Sequence, residues 1–351
     1  MTGTPRRLFL AHTPTPIERR PALDALVGAK VWIKRDDATG GPESGNKVRK
    51  LEFLIGDALA RNAEVVITCG GLQSNHARAT ALVCARFGLR AVLYLRVADP
   101  KRAAKDQDVT GNVLLDRLAG AEIVFITPAE YRERNAIMES ARHQLESAGA
   151  PAYVVPEGGS TGLGALGYVE AMREVRAQID LGLCADLPLA EEGAPAFDVV
   201  AHACGSGGTA AGVSLGASRF AVAREAWAFA VCDDRAYFER VIAQIAAEAR
   251  GFDPSLPAAP CLVVDDRAKG PAYGVMDPEQ KHFLVEVARR TGLVLDPVYS
   301  GKALWGVAQA IERGAIARDA NVLFIHTGGL PGLLAQGDDL REALGLDGER
   351  A

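Results

Sequence analysis

The chain has 351 residues, of which 48% are hydrophobic and 24% charged, a balance that is ordinary for a globular protein with a sizeable core. Its net charge of −5 offers no basic surface to nucleic acid or acidic membranes, so a phosphate-bearing ligand would need local hydrogen-bond donors. The six cysteines form no Cys-x-x-Cys pair and no zinc-like spacing with histidine, so we expect no metal site, and buried thiols in a reducing compartment.

Short apolar runs alternate with longer amphipathic segments from the N-terminal region onward. That region has only a short apolar patch broken by prolines, which predicts neither a signal peptide nor a membrane span, so we expect a cytoplasmic protein. The predicted strands cover residues 65–68, 91–95, 122–126, 153–155, 198–203, 228–232, 262–264 and 322–327. The predicted helices cover 51–59, 76–87, 129–148, 164–180, 235–250, 277–291 and 301–313, with a further helical run from Ala210.

This alternation of strands and helices predicts an α/β fold. Several of the strands are too continuously apolar to have one polar face, which is typical of parallel strands covered on both sides. Strands that alternate with helices indicate βαβ units and an open, mostly parallel sheet. The segment 181–196, with two prolines and paired glutamates, is predicted to be a surface loop.

The segment Ser44-Gly45-Asn46-Lys47, just before the first amphipathic helix, is the first that could carry chemistry. A lysine becomes a nucleophile when burial or neighbouring cations lower its pKa, and two arginines are close to Lys47 in sequence. By spacing alone, a solvated lysine at the start of a helix is the simpler interpretation.

The segment Gln73-Ser74-Asn75-His76 follows the strand predicted at 65–68. The side chain of Ser74 or Asn75 suits a helix N-cap, and the free N–H groups of a first helical turn attract a carboxylate or a phosphate. An ordinary capped turn with a surface histidine is an equal alternative.

The glycine-rich segment Gly205-Ser206-Gly207-Gly208-Thr209 lies between the strand at 198–203 and a helical run. Its successive backbone N–H groups, two hydroxyls and helix dipole predict a phosphate site that needs no cation. The segment lacks the Gly-Lys-[Ser/Thr] ending of a Walker loop and matches a dinucleotide fingerprint poorly.

Three residues near the C-terminus are further candidates. Tyr273 and Tyr299 lie in glycine-flanked loops and not in core stripes, so each either anchors a loop or faces a ligand. Thr327 follows a strongly apolar strand, which places it at the carboxyl edge of the predicted sheet, where ligands collect.

Taken in this order, the segments resemble one family, the D-cysteine desulfhydrases and 1-aminocyclopropane-1-carboxylate deaminases, which use pyridoxal phosphate. The resemblance spans about residues 12–335, and it favours a cofactor-binding Lys47 over a solvated one. The matching segments are 34–37, 45–53, 73–76, 158–160 with 164–168, 205–209, 296–299 and 326–329.

The resemblance implies the tryptophan-synthase β-like fold of pyridoxal-phosphate enzymes. Two open, mostly parallel, twisted sheets would be covered by helices, with the cofactor in the cleft between two domains. A small α/β domain at 51–160 would be inserted into a large cofactor-binding domain formed by 1–50 and 161–351. A homodimer would be usual for this family.

The resemblance also assigns the cofactor contacts. Lys47 would hold the cofactor covalently, and Asn75 would hydrogen-bond its ring oxygen. The remaining contacts would come from Asn46, from the phosphate loop Gly205, Ser206, Gly207, Gly208 and Thr209, and from either Ser300 or Thr327 at the pyridine nitrogen.

The substrate contacts are assigned in the same way. Ser74 would face the substrate carboxylate and α-carbon, with Asn75 and His76 beside it. Tyr273 and Tyr299 would line the substrate side, and either could protonate the leaving group. With the Lys47 amine as the base for the α-proton, the expected catalytic residues are Lys47, Ser74, Tyr273 and Tyr299.

Position 300 bears on the choice of substrate. The deaminase branch, as the resemblance has it, carries a glutamate there that would keep the pyridine protonated, whereas the neutral Ser300 would leave a weaker electron sink. We therefore expect a D-cysteine desulfhydrase-like lyase that releases pyruvate, ammonia and sulfide.

Other functions remain open from the sequence. One is an L-cysteate sulfo-lyase, in which Arg267 and Lys269 could serve the sulfonate. A second is a 1-aminocyclopropane-1-carboxylate deaminase, and a third is a non-catalytic homologue that binds the cofactor or an amino acid. The roles of Glu43 and Glu157 are undecided.

Overall fold

The computed structural model describes residues 5–106, 109–191 and 193–346. Ten strands in this part of the chain form two sheets, in the orders β1-β2-β10-β7-β8-β9 and β5-β4-β3-β6. All neighbouring strands are parallel except β1 and β2, which pair antiparallel. The strands are β1 Ile17–Arg19, β2 Lys30–Lys34, β3 Val65–Gly71, β4 Arg90–Arg96, β5 Glu122–Ile126, β6 Ala152–Val154, β7 Phe197–Cys204, β8 Ala223–Ala230, β9 Leu262–Asp265 and β10 Asn321–Ile325.

Helices lie between most of the strands and complete the α/β fold that the sequence predicts. None of the described helices is long and apolar enough to cross a bilayer. The helices are α1 Pro21–Val27, α2 Asn46–Ala60, α3 Asn75–Arg86, α4 Pro100–Asp106, α5 Gly111–Leu118, α6 Pro128–Arg132, α7 Arg134–Ser147, α8 Gly162–Asp180, α9 Gly208–Arg219, α10 Arg235–Phe252, α11 Pro278–Thr291, α12 Ser300–Glu312, α13 Leu330–Leu334 and α14 Arg341–Leu344.

Each of the eight predicted strands overlaps a strand of the structure, and the sequence prediction missed β1 and β2. Strand β2 lies beside β10 in the large sheet. It begins and ends with a lysine, so its sequence does not have the continuous apolar pattern of a buried strand. The Lys34 amine is fully buried and donates hydrogen bonds to Glu174 at 2.5 Å and Gln178 at 2.6 Å. A charge in a core needs such partners, and both lie on a distant helix.

A buried ionic network holds α2 in place. The Arg49 guanidinium pairs with Asp36 at 2.8 Å and with Glu174 at 2.9 Å, and Tyr168 donates a hydrogen bond to Asp36 at 2.7 Å. Burial raises the pKa of Asp36 and Glu174, but the Arg49 guanidinium, with the Lys34 amine, more than offsets this and holds both below their usual values. The network therefore fixes the helix that begins beside Lys47.

The start of α2 is also tied to the end of β10. Gly45 has a φ of 118°, which a side chain would rarely permit, and a Cβ there would lie 3.0 Å from the carbonyl oxygen of Thr327. The next residue, Asn46, donates its N–H to that same carbonyl at 3.1 Å. This close approach brings Lys47 to the carboxyl edge of the large sheet.

The two sheets use separate parts of the chain. The four-stranded sheet is formed within residues 65–154, and the six-stranded sheet within 17–34 and 197–325. Helix α2 runs through the predicted boundary at 50 and 51 and packs against α8. The division into 51–160 and the flanking segments stays a prediction.

Candidate active site

A cavity of about 600 Å³ opens between the carboxyl ends of strands from both sheets. Such an edge is where open parallel sheets usually bind ligands. Two of the predicted site residues, Gly208 and Ser300, are not among the residues that line it. The other predicted residues all line it: Asn46, Lys47, Ser74, Asn75, His76, Gly205, Ser206, Gly207, Thr209, Tyr273, Tyr299 and Thr327.

Lys47 lies in the first turn of α2 and is partly accessible from the cavity. Its Nζ atom is 6.0 Å from the centroid of the Tyr299 ring. Burial lowers the pKa of its amine to about 8, although Cys204, Glu157 and Asp296 act in the opposite direction. About a tenth of the amine is therefore unprotonated at pH 7, far more than for an ordinary lysine, and the unprotonated form is the nucleophile or base.

The glycine loop connects β7 to α9 and forms one wall of the cavity. Gly207 has a φ of 84°, and a Cβ at Gly208 would lie 2.8 Å from Ser160 Oγ and 2.9 Å from Lys50 Nζ. The backbone N–H of Gly208 donates to Ser160 Oγ at 3.1 Å, and this hydroxyl donates to Ser206 Oγ at 2.8 Å. Backbone N–H groups, hydroxyls and a lysine amine thus converge there, and this donor set fits a phosphate ester.

Lys50 is a site residue that the sequence analysis missed. Its buried amine donates a hydrogen bond to the carbonyl of Gly158 at 3.0 Å, next to the glycine loop. Burial, and then the charge of Lys47, hold its pKa well below the usual value. The signal in the sequence was its spacing, because residues three apart on a helix share a face.

The N-terminus of α3 forms another part of the cavity wall. Ser74 caps this helix by accepting a hydrogen bond from the N–H of Ala77 at 3.2 Å. The amide oxygen of Asn75 accepts a hydrogen bond from Asn112 at 3.1 Å, which leaves the Asn75 NH₂ group to donate to a ligand. The wall therefore combines a helix N-terminus, suited to a carboxylate, with an oriented amide donor.

The hydroxyls of Tyr273 and Tyr299 lie 2.7 Å apart at the cavity. Burial raises the pKa of Tyr273 to about 12 and that of Tyr299 well above its usual value. Both phenols are therefore protonated at neutral pH. Only one proton is needed for the hydrogen bond between them, so the pair can donate the other.

Ser300 and Thr327, the two candidates for the pyridine nitrogen, have different surroundings. The Ser300 hydroxyl is buried and donates to Asp296 Oδ1 at 2.5 Å, and it accepts from the backbone N–H of Asp296 at 2.9 Å. Thr327 lines the cavity, and its hydroxyl makes no hydrogen bond to any residue that the structure describes. The geometry favours Thr327, and it directs Ser300 away from the cavity.

A charged cluster at the cavity was not predicted. Glu157 accepts a hydrogen bond from Tyr131 at 2.7 Å and pairs with Arg134 at 2.9 Å. The guanidinium of Arg96 lies over the Tyr131 ring, 4.9 Å from its centroid. These residues belong to the ends of β4 and β6 and to two helices, so no short motif in the sequence connects them.

Residues 8–328 match the family described as pyridoxal-phosphate dependent enzyme. The chain belongs to this family. Pyridoxal phosphate is therefore its cofactor, and the phosphate-binding donor set at the glycine loop, with Lys47 in the same cavity, fits that group. The glycine loop with Ser160 and Lys50 would hold the phosphate, and Lys47 would hold the aldehyde carbon.

Relatives place this enzyme among the deaminases and desulfhydrases that the motifs resemble. It is 41% identical over 342 residues, 96% of this chain and 81% of the relative, to the mitochondrial bifunctional D-cysteine desulfhydrase/1-aminocyclopropane-1-carboxylate deaminase of Arabidopsis thaliana. It is 40% identical over 331 residues, 94% of this chain and 98% of the relative, to a putative 1-aminocyclopropane-1-carboxylate deaminase of Thermotoga maritima.

Solved structures confirm the predicted fold. A crystal structure described as an ACC deaminase homologue superposes with a TM-score of 0.82 at 34% identity and covers 96% of both chains. Threonine deaminase isoform 2 from Solanum lycopersicum has a TM-score of 0.60 at 17% identity, with 95% of this chain and 83% of that one covered. The second likeness shows only that the pyridoxal-phosphate enzyme fold is shared.

Proposed function

We propose that this enzyme eliminates the β-substituent of a small amino acid, with D-cysteine as the favoured substrate. The observation that carries the proposal is the Lys47 amine, with a pKa lowered to about 8, in the same cavity as the glycine loop and the tyrosine pair. A base of this pKa beside two protonated phenols supplies both of the proton transfers that elimination needs.

Each residue group has one role in the proposed reaction. The bound cofactor withdraws electrons from the substrate α-carbon, so that its proton becomes acidic. Lys47 takes that proton, the Cβ–S bond breaks with its electron pair leaving on sulfur, and Tyr299 or Tyr273 protonates the sulfur. One water then completes the conversion to pyruvate, ammonia and hydrogen sulfide.

The N-terminus of α3 supports the choice of an amino acid as substrate. Of the first-turn N–H groups, that of Ala77 is occupied by the Ser74 cap, and those of Asn75 and His76 face the cavity end of the helix. Such groups bind a carboxylate without a cation. Ser74 and Asn75 would therefore orient the substrate carboxylate, with the α-carbon towards Lys47.

Opening of the cyclopropane ring of 1-aminocyclopropane-1-carboxylate is the second candidate function. The name of the relative from Thermotoga maritima favours it, whereas the name of the relative from Arabidopsis thaliana includes both activities. In the cavity, Lys47 and the tyrosine pair could serve this reaction too, since it also moves protons at carbon. A non-catalytic homologue is the weaker alternative, because a tyrosine pair that can donate a proton at the cavity is not needed for binding alone.

A substrate panel tests the proposal. The cofactor-loaded enzyme is assayed for 2-oxo acid release from D-cysteine, L-cysteine and 1-aminocyclopropane-1-carboxylate, with Lys47→Ala as the inactive control. Pyruvate and sulfide from D-cysteine are expected. Release of 2-oxobutyrate from the cyclopropane alone would replace the proposal by its second candidate, and no release from any of the three would contradict both.

Two further expectations come from the sequence, the first from the family resemblance and the second from scattered cysteines that suit a reducing compartment. We propose that the enzyme is a homodimer and that it acts in the cytoplasm. Light scattering coupled to gel filtration measures the first, because a dimer has twice the mass of the 37.1 kDa chain. Fractionation of the source cells, with the enzyme followed by its own antibody, tests the second.

A further inference from the structure

Arg96 is a cavity residue to which neither the motifs nor the proposed reaction assigns a role. It ends strand β4, directly beside Gly71 at the end of β3 in the register of the two strands. Its side chain is half-buried, and its guanidinium lies 4.9 Å from the centroid of the Tyr131 ring and 5.4 Å from that of Tyr273. Two aromatic rings thus fix its position at the cavity wall.

The guanidinium of Arg96 has no anionic partner within the part of the chain that the structure describes. Arg134, at the same cavity, pairs with Glu157 at 2.9 Å, and Tyr131 also donates to this carboxylate, so Glu157 is already satisfied. Ring contacts occupy the faces of a guanidinium and leave its in-plane N–H groups free. Arg96 therefore presents unused donors to the cavity.

Contacts connect Arg96 to the place where the leaving group departs. Its neighbour Tyr273 shares a hydrogen bond of 2.7 Å with Tyr299, and the Tyr299 ring is 6.0 Å from Lys47 Nζ. The contacts run from Lys47 through the two tyrosines to Arg96. A substrate whose α-carbon is at Lys47 and whose leaving group is at the tyrosines would extend towards Arg96.

On the basis of the proposed elimination, we infer that Arg96 binds the β-substituent of the substrate. Beside D-cysteine, the enzyme would then accept amino acids with an anionic β-substituent, a sulfonate above all, in preference to other amino acids with an uncharged one. The planar fork of a guanidinium matches two oxygens of a sulfonate. Arg267 and Lys269, which the sequence suggested for a sulfonate, do not line the cavity, whereas Arg96 does.

The reaction of cysteate is balanced in the same way as that of cysteine. Lys47 takes the α-proton, and the Cβ–S bond breaks with its electron pair leaving on sulfite. One water then gives pyruvate and ammonia. Because sulfite leaves as an anion, Arg96 assists by holding its charge, and the tyrosine pair is not required to protonate it.

The test compares cysteate with β-chloroalanine, whose small β-substituent carries no charge. Both enantiomers of each are assayed, and kcat and KM are measured for the cofactor-loaded enzyme and for Arg96→Gln. We expect the substitution to reduce kcat/KM for cysteate about tenfold or more, mainly through KM, because a charge-assisted contact is lost. Turnover of β-chloroalanine should change by less than about twofold.

Arg267→Gln is the matched control, because it removes the same charge from an exposed arginine outside the cavity. In Arg267→Gln, the ratio of kcat/KM for cysteate to kcat/KM for β-chloroalanine should equal the ratio in the wild type. Calorimetric titration with methanesulfonate adds a readout that needs no turnover, and binding should be present in the wild type and in Arg267→Gln and absent in Arg96→Gln.

Separate outcomes overturn the inference and the proposed function. An equal loss for both substrates would show that Arg96 holds the α-carboxylate, and elimination of β-chloroalanine but not of cysteate would remove the anionic preference while leaving elimination intact. Elimination of neither substrate would contradict the proposed function. Methanesulfonate that does not bind the wild type overturns the assignment of Arg96 whatever the activities are.

Discussion

The Thr68 hydroxyl lies 2.9 Å from Nε2 of His76 and donates its own proton to the carbonyl of Val155 at 2.7 Å. A hydroxyl has one proton, so Thr68 accepts from His76, and Nε2 of the neutral ring must carry the hydrogen. Burial, and then the charges of Lys47 and Lys50, hold the pKa of His76 well below its usual value. Its Nδ1 atom is therefore an acceptor, buried and without a partner among the described residues.

This arrangement predicts the protonation state of His76. In nitrogen NMR spectra of the enzyme labelled at histidine, the His76 ring should be neutral from pH 6 to pH 8, with the proton on Nε2. Its signals should not move over this range, because the pKa is lowered and the ring stays neutral above it. A titration midpoint near the ordinary value of 6.5 would contradict the burial argument.

Thr68→Val should destabilise the fold, since it leaves Val155 without its donor and His76 without its acceptor. We expect a loss of about 1–3 kcal/mol in the free energy of unfolding by urea. Thr80→Val is the control, because its hydroxyl donates at 2.9 Å to the His76 carbonyl, which the helix already satisfies. Equal losses in the two variants would show that the Thr68 hydroxyl contributes no more than a hydrogen bond to an already satisfied carbonyl.

The lowered pKa of Lys47 predicts how the cofactor-free protein takes up pyridoxal phosphate. Only the unprotonated amine attacks the aldehyde, so the rate of covalent attachment should rise with pH and level off above about pH 8. A solvated lysine would have its midpoint near 10.5. Stopped-flow absorbance measures the rate, and Lys47→Ala, which has no amine at this position, should show none of this phase.

Ser300 and Thr327 have different surroundings, so removing the Ser300 hydroxyl should affect mainly stability, and removing the Thr327 hydroxyl mainly the absorbance of the cofactor. Ser300→Ala removes the hydrogen bond to Asp296 and should cost about 1–2 kcal/mol of stability while the visible absorbance of the bound cofactor is unchanged. Thr327→Val should shift that absorbance and change the stability little, because its hydroxyl faces the cavity. The reverse pattern would place Ser300, and not Thr327, at the pyridine nitrogen.

The sequence predicts those parts of the site that are local. The loop from Gly205 to Thr209 needs only one strand, one turn and one helix start, and all three are visible within fifteen residues. The Ser74 cap is visible for the same reason, and the structure bears out its bond to the N–H of Ala77. Lys47 itself was predicted only because the ordered motifs resembled a family, since its low pKa depends on distant residues.

Long-range contacts account for what the sequence could not show. Arg96 lies against Tyr131 and Tyr273, which are 35 and 177 positions away in the chain, so its position depends on how a strand end, a helix and a loop meet. Lys34 likewise is a residue type that is usually solvated, and its burial in β2 is explained by its hydrogen bonds to Glu174 and Gln178. Hydrophobic pattern records which side chains face a core, but it carries no information about which charges meet there.

The ionic network around Arg49 predicts how stability depends on acid. The folded-state pKa of Asp36 and Glu174 is lowered, so the stability that they contribute is present above their ordinary values of 3.8 and 4.5. It should be lost as the pH falls through the lower, folded-state pKa values, because the unfolded chain takes up protons first. Urea unfolding of the wild type should therefore show a falling free energy below about pH 5.

Arg49→Met tests this directly, because it removes the cation and keeps the length of the side chain. Asp36 is then buried without its partner, which should cost about 3–5 kcal/mol at neutral pH and should raise the pKa of this carboxyl. In the variant the folded-state pKa of Asp36 is raised, whereas in the wild type it is lowered. The variant should therefore gain stability relative to the wild type as the pH falls. Arg142→Met is the control, because it breaks an exposed pair with Glu146 and should leave the free energy of unfolding close to that of the wild type. An equally small loss in Arg49→Met would show that the buried network does not hold α2.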